Sequence, residues 1–105
     1  MERIRQLEEF LREEPNDPFN HYALALEFLK TDTNRAQQLF ETLAEKFPDY
    51  LPTYYPFAHL MIERNQADQA EALFEKGKEM ARKLGDQKTL RELQAAHNDW
   101  LFERD

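Results

Sequence analysis

Two stretches of this chain are offset copies of one another, and a chain that repeats every 33–34 residues has few folds open to it. Ala36, Phe40, Leu43 and Pro48 return as Ala70, Phe74, Gly77 and Arg82, each 34 residues on. Upstream, Pro15, Leu24, Ala25 and Phe28 return as Pro48, Phe57, Ala58 and Met61, each 33 residues on. The one-residue difference falls in the first turn. A unit of that length is one supersecondary motif. It cannot bury its apolar face alone, so neighbouring units must stack.

The apolar residues make the motif helical. Val is absent, Ile occurs only as Ile4 and Ile62, and Leu and Ala dominate. Strands draw on β-branched residues, which this chain lacks. Apolar positions recur at helical spacing almost everywhere. Ile4, Leu7, Phe10 and Leu11 mark a first helix that Pro15 ends. Asp17 as N-cap and Pro18 at N1 start a second near residue 18. Asp32 or Thr33 caps a third, which carries Ala36, Leu39, Phe40, Leu43 and Phe47 and stops at Pro48. A fourth is expected to start near 54, with Thr53 as N-cap, and to run to about 65. That start puts Pro56 in the first turn, where its missing N–H costs nothing. A fifth runs from about Ala67 with Gly85 at C′. Asp86 caps a sixth bearing Leu90, Leu93, His97, Trp100 and Leu101. The linkers are short, so about six helices should pack as antiparallel neighbours.

The repeat resembles the tetratricopeptide repeat, a 34-residue helix–turn–helix unit. Against that pattern the first copy reads His21, Leu24, Ala25 and Phe28 on helix A, then Ala36, Phe40, Leu43 and Pro48 on helix B. The second reads Tyr54, Phe57, Ala58 and Met61, then Ala70, Phe74, Gly77 and Arg82. Ala25 and Ala58 replace a usual Gly, Leu43 a small residue and Arg82 a Pro. The resemblance implies an all-α, right-handed α-α superhelix. It is expected as a single domain of capping helix (1–15), first repeat (16–48), second repeat (49–84) and C-terminal capping helix (85–105). Phe28, Phe40, Phe57 and Phe74 are expected in the core, with Ala36 and Ala70 at helix crossings.

Composition removes whole classes of chemistry. No Cys means no thiolate nucleophile and no Cys-ligated metal; no Ser removes the Ser-His-Asp mechanism. Thr31, Thr33, Thr42, Thr53 and Thr89 sit in no catalytic motif. Two glycines cannot build a phosphate-cradling loop. A net charge of −7 and a pI near 5.0 argue against nucleic acid and anionic membranes as partners. The N-terminal segment is charged and amphipathic, and no run approaches a membrane span, so a cytoplasmic location is expected.

Local clusters read as surface. His59 and Glu63 share a helix face, but a metal needs three or four ligands, and His21 and His97 lie on other helices. Glu8, Glu9, Glu13 and Glu14 solvate a helix face. Lys76, Lys78, Arg82 and Lys83, interleaved with Glu75 and Glu79, are expected to form another solvated face. Neither enzymatic activity nor a cofactor or metal is expected.

The resemblance also implies a concave surface built from helix A. Residue-by-residue matching assigns it Phe19, Tyr22, Ala23, Leu26, Leu29 and Lys30 from the first repeat. From the second come Pro52, Tyr55, Pro56, His59, Ile62 and Glu63. Some family members clamp a peptide carboxylate there with Lys, Asn and Arg. Here Tyr22, Leu26 and Pro56 stand at three of those positions, so that clamp is absent. An apolar strip facing water needs a cover. Three covers stay open: a protein partner's peptide or helix, the sixth helix through Leu93 or Trp100, or a second copy. The first leads to a scaffold module, monomeric or weakly dimeric, that binds through Tyr22, Leu26, Leu29, Lys30, Tyr55, His59, Ile62 and Glu63.

Overall fold

The computed structural model describes residues 2–104. Six α-helices and one 3-10 turn form, with no strand among the described residues. They are α1 (Glu2–Glu13), α2 (Pro18–Phe28), α3 (Thr33–Lys46), α4 (Tyr54–Glu63), α5 (Ala67–Leu84) and α6 (Gln87–Arg104); the turn spans Leu51–Thr53. Among the described residues no helix is long and apolar enough to cross a membrane. The chain divides into two compact units, Met1–Tyr50 and Leu51–Asp105.

In the first unit α2 packs on both α1 and α3. Asp17 has the extended backbone of an N-cap, and its carboxylate accepts from the Phe19 N–H at 3.0 Å, with Pro18 at the first helical position. Asp32 caps α3 by accepting from the Arg35 N–H at 3.2 Å. The α1 end is tied down by two buried polar side chains of α2. The Asn20 amide donates to the carbonyls of Phe10 (3.3 Å) and Glu14 (3.1 Å). His21 Nε2 donates to the Pro15 carbonyl at 2.8 Å, its ring 5.6 Å from Phe47. The carbonyls of Phe10 and Glu14 also accept from the backbone N–H groups of Glu14 and Asp17, so the Asn20 amide adds a second donor to each, while His21 serves the Pro15 carbonyl beyond the helix end. Leu24, Ala25, Phe28, Ala36, Phe40 and Leu43 form the core; Phe10, expected on the apolar face of α1, is instead 51% exposed.

In the second unit α5 packs on α4 and α6. Tyr54, Phe57, Ala58, Leu60 and Met61 of α4 are buried, as are Ala70, Phe74 and Ala81 of α5. All four phenylalanines expected in the core are there. Helices α4 and α5 approach closely at Gly77, where an added Cβ would lie 2.8 Å from the Tyr54 Cβ. Helix α4 begins at Tyr54 as expected, but Thr53 does not cap it. Its backbone is already helical (φ −60°, ψ −40°) because the 3-10 turn runs straight into α4, so the hydroxyl cannot reach back to a first-turn N–H. The Thr53 Oγ1 is buried without a hydrogen-bond partner.

Both α4 and α5 end in left-handed Schellman caps. At Gly85 (φ 71°) the Asp86 N–H reaches the Ala81 carbonyl at 2.9 Å. At Asn65 (φ 61°) the Gln66 N–H reaches Met61 at 2.8 Å. The first was expected; the second stops α4 at Glu63, two residues short of the expected end. Asn is the side chain other than Gly that best tolerates this region.

Candidate functional site

On α2, Tyr22, Leu26 and Leu29 are half-buried, Lys30 is exposed and Phe19 is 56% exposed. Ala23, assigned to the same surface from sequence, is buried instead, its single methyl too short to stand clear of its larger neighbours Tyr22 and Leu26. Tyr22 meets the edge of Tyr50, ring centres 5.7 Å apart. Burial pushes the Tyr22 phenol above the ordinary tyrosine value. Burial raises Tyr50 as well, with Tyr22 and Asp17 adding to it. Both phenols therefore stay protonated at neutral pH. Lys30 already holds Glu27 at 3.2 Å, a carboxylate shared with Arg3 at 3.7 Å.

The face of α4 is more open. Tyr55 is 47% exposed and its ring lies 5.4 Å from His59, which is also exposed. Tyr55, His59 and Ile62 form one wall of a cleft of about 290 Å³. The other wall is the stripe Ala96, Asp99, Trp100 and Glu103 of α6, over a floor at Phe74. Glu63, expected at the rim, is exposed but does not line this cleft. The sixth helix thus flanks the α4 face. Leu93 and Trp100 point into the core against α5, where Trp100 meets Phe74 at 5.8 Å, and Tyr55 stays open.

A buried polar cluster joins α5 to α6, and sequence reasoning missed it. His97 is 3% exposed and stacks on Phe74 at 4.7 Å and 9°. Its Nε2 lies 2.7 Å from the Glu71 carboxylate and its Nδ1 lies 3.0 Å from Lys78 Nζ. An ammonium can only donate, so Nδ1 carries the lone pair and Nε2–H donates to Glu71: the ring is the neutral tautomer. Lys78 also holds Glu75 at 3.1 Å. That hydrogen bond first, and the ammonium charge second, keep the Glu75 carboxyl below its ordinary value. Lys78, expected on a solvated face, is therefore only 13% exposed, drawn in by the imidazole acceptor.

Glu71, Glu75 and His97 bring one potential ligand atom each within 4.8 Å of one another. The Lys78 ammonium lies between His97 and Glu75 and supplies the positive charge there. Both imidazole nitrogens are engaged, and the ring is closed to solvent, so it offers no site for a substrate proton. The first unit has its own cleft, about 540 Å³, between α1 and α3 over Leu24. Its charged lining is self-paired: Arg35 holds Glu8 at 3.5 Å, and Arg12 holds Glu9.

The Ala96–Glu103 stripe is legible as an i, i+3, i+4, i+7 pattern, but nothing in the sequence says that it faces α4. His97 was visible on the apolar face of the sixth helix; its partners on α5 become apparent only from the helix pairing.

A family model described as Tetratricopeptide repeat matches residues 27–97. A tetratricopeptide repeat domain protein from Salinibacter ruber, solved in solution by NMR, is 48% identical over 78% of this chain and 84% of its own, with a TM-score of 0.73. A crystal structure of a tetratricopeptide repeat domain protein from the same organism is 48% identical over 77% of this chain and 91% of its own, with a TM-score of 0.71. No curated protein matches the chain.

Proposed function

This chain belongs to the tetratricopeptide repeat family, and from that premise we propose that it is a non-catalytic protein-interaction module. It buries a partner's peptide or helical segment against the helix-A faces of its two repeats: Tyr22, Leu26, Leu29 and Lys30 from one, Tyr55, His59, Ile62 and Glu63 from the other. The repeats span 16–48 and 49–84, and the segments 1–15 and 85–105 act as caps. The observation that carries this reading is the open aromatic face of α4. Tyr55 is 47% exposed with the exposed His59 ring beside it, and a large amphipathic side chain left open is what interfaces use. Nucleic acid and membranes are disfavoured by the charge of −7, and we assign the module to the cytoplasm. Self-association is the second reading, favoured by Phe102, which is 85% exposed beside Leu101 on α6.

The test is capture from native lysate with the wild type beside a Tyr55→Ala/Leu26→Ala variant that still folds. A module loses its captured proteins in the variant. Equal capture by both, or a micromolar dimer by light scattering that the variant abolishes, overturns the reading.

A further inference from the structure

The α4/α6 cleft carries a charge pattern that selects among partners. Asp99 and Glu103 stand four residues apart on the α6 wall, so their carboxylates are neighbours of like sign. Both are exposed, and among the described residues neither forms an ion pair. Across from them are the rings of Tyr55 and His59. Aromatic faces with adjacent free carboxylates suit one kind of group: a cation on a long apolar stem. The chain itself supplies an example beside the cleft, where the Arg104 guanidinium lies 4.6 Å from the Trp100 ring centre. A volume of about 290 Å³ has room for one long side chain and not for a packed helix.

We propose that this cleft is a subsite for a basic side chain of the partner segment, arginine above lysine. It rests on the module reading above. The guanidinium stacks on Tyr55 while its N–H fork reaches Asp99 and Glu103, and the two carboxylates lose their mutual repulsion. An acidic segment meets two unpaired negative charges and is refused.

A displayed library of random dodecapeptides tests this, sorted separately on the wild type, on Tyr55→Ala/Leu26→Ala and on Asp99→Asn/Glu103→Gln. The last pair is isosteric and exposed, so its melt should match the wild type. The expected result is that wild-type binders are enriched in arginine, weaken about fivefold or more on Asp99→Asn/Glu103→Gln, and weaken further in high salt. Binders that depend on Tyr55 but show no basic preference, or that bind the carboxamide variant equally well, overturn the subsite and leave the module standing. No wild-type binder, or binders indifferent to Tyr55→Ala/Leu26→Ala, overturn both. A wild-type dimer split by Asp99→Asn/Glu103→Gln overturns the peptide subsite in favour of a second copy.

Discussion

At the scale of single residues, the two glycines serve opposite needs. At Gly77 the need is space. A Cβ there would sit 2.8 Å from the Tyr54 Cβ, an atom that no rotamer change can move, and 2.9 Å from Leu93. Gly77→Ala gains about 1 kcal/mol of helix propensity but overpacks the site at about 1–3 kcal/mol. A net loss is expected in urea unfolding, with an unchanged midpoint contradicting the close approach. At Gly85 the need is a left-handed backbone, and nothing lies within 4 Å of the added atom. Gly85→Ala should cost about 1 kcal/mol through backbone strain alone. Asp86 adds a pH dependence. Its carboxylate accepts from the Thr89 N–H at 2.9 Å and the Thr89 hydroxyl at 2.8 Å, and these bonds lower its pKa. A folded value below the unfolded one means the contribution is complete above about pH 4 and is lost as pH falls through the lowered value. The melting-temperature gap between the wild type and Asp86→Ala should be full at pH 7 and shrink below pH 4; a gap independent of pH would refute the cap.

At the scale of elements, pairing rests on small residues at crossings and on buried polar links, Asn20 and His21 at the end of α1 and His97 between α5 and α6. Ala36 and Ala70 are both 0% exposed. Ala70→Arg forces bulk and an unpaired charge into the α4/α5 packing and should abolish the folding transition; a circular-dichroism melt like the wild type's would refute this. Between α5 and α6, Lys78→Met keeps the apolar stem but leaves the buried His97 Nδ1 without its donor. The expected cost is about 1–3 kcal/mol, measured by urea unfolding. The helices themselves were legible in sequence, because Asp17, Asp32, Asp86 and Gly85 are local signals that act within one turn. The Thr53 cap was not borne out and the end of α4 fell short, for the converse reason. Leu51 and Pro52 form a 3-10 turn that carries Thr53 into helical backbone, and Asn65 adopts a conformation usually left to Gly.

At the scale of the whole molecule, Tyr55 is 47% exposed on α4, so its removal should cost the fold little. Tyr55→Ala should change stability by less than about 0.5 kcal/mol, as surface substitutions do. A larger loss in urea unfolding would mark Tyr55 as part of the core rather than as a contact surface. The repeat register, read from residue types, placed Phe28, Phe40, Phe57 and Phe74 in the core and Ala36 and Ala70 at the crossings, where they are buried, and set Ala23 on the open surface, where it is not. The helices follow from periodicity, which needs no knowledge of neighbours, and the core positions follow from the repeat and its resemblance to the tetratricopeptide pattern. The tertiary structure alone decided that α6 flanks α4, that Asp99 and Glu103 share a cleft with Tyr55, and that Lys78 is drawn to His97. Those contacts join residues 19 to 48 positions apart, and their pairing depends on how one helix sits on the next, which no local pattern encodes.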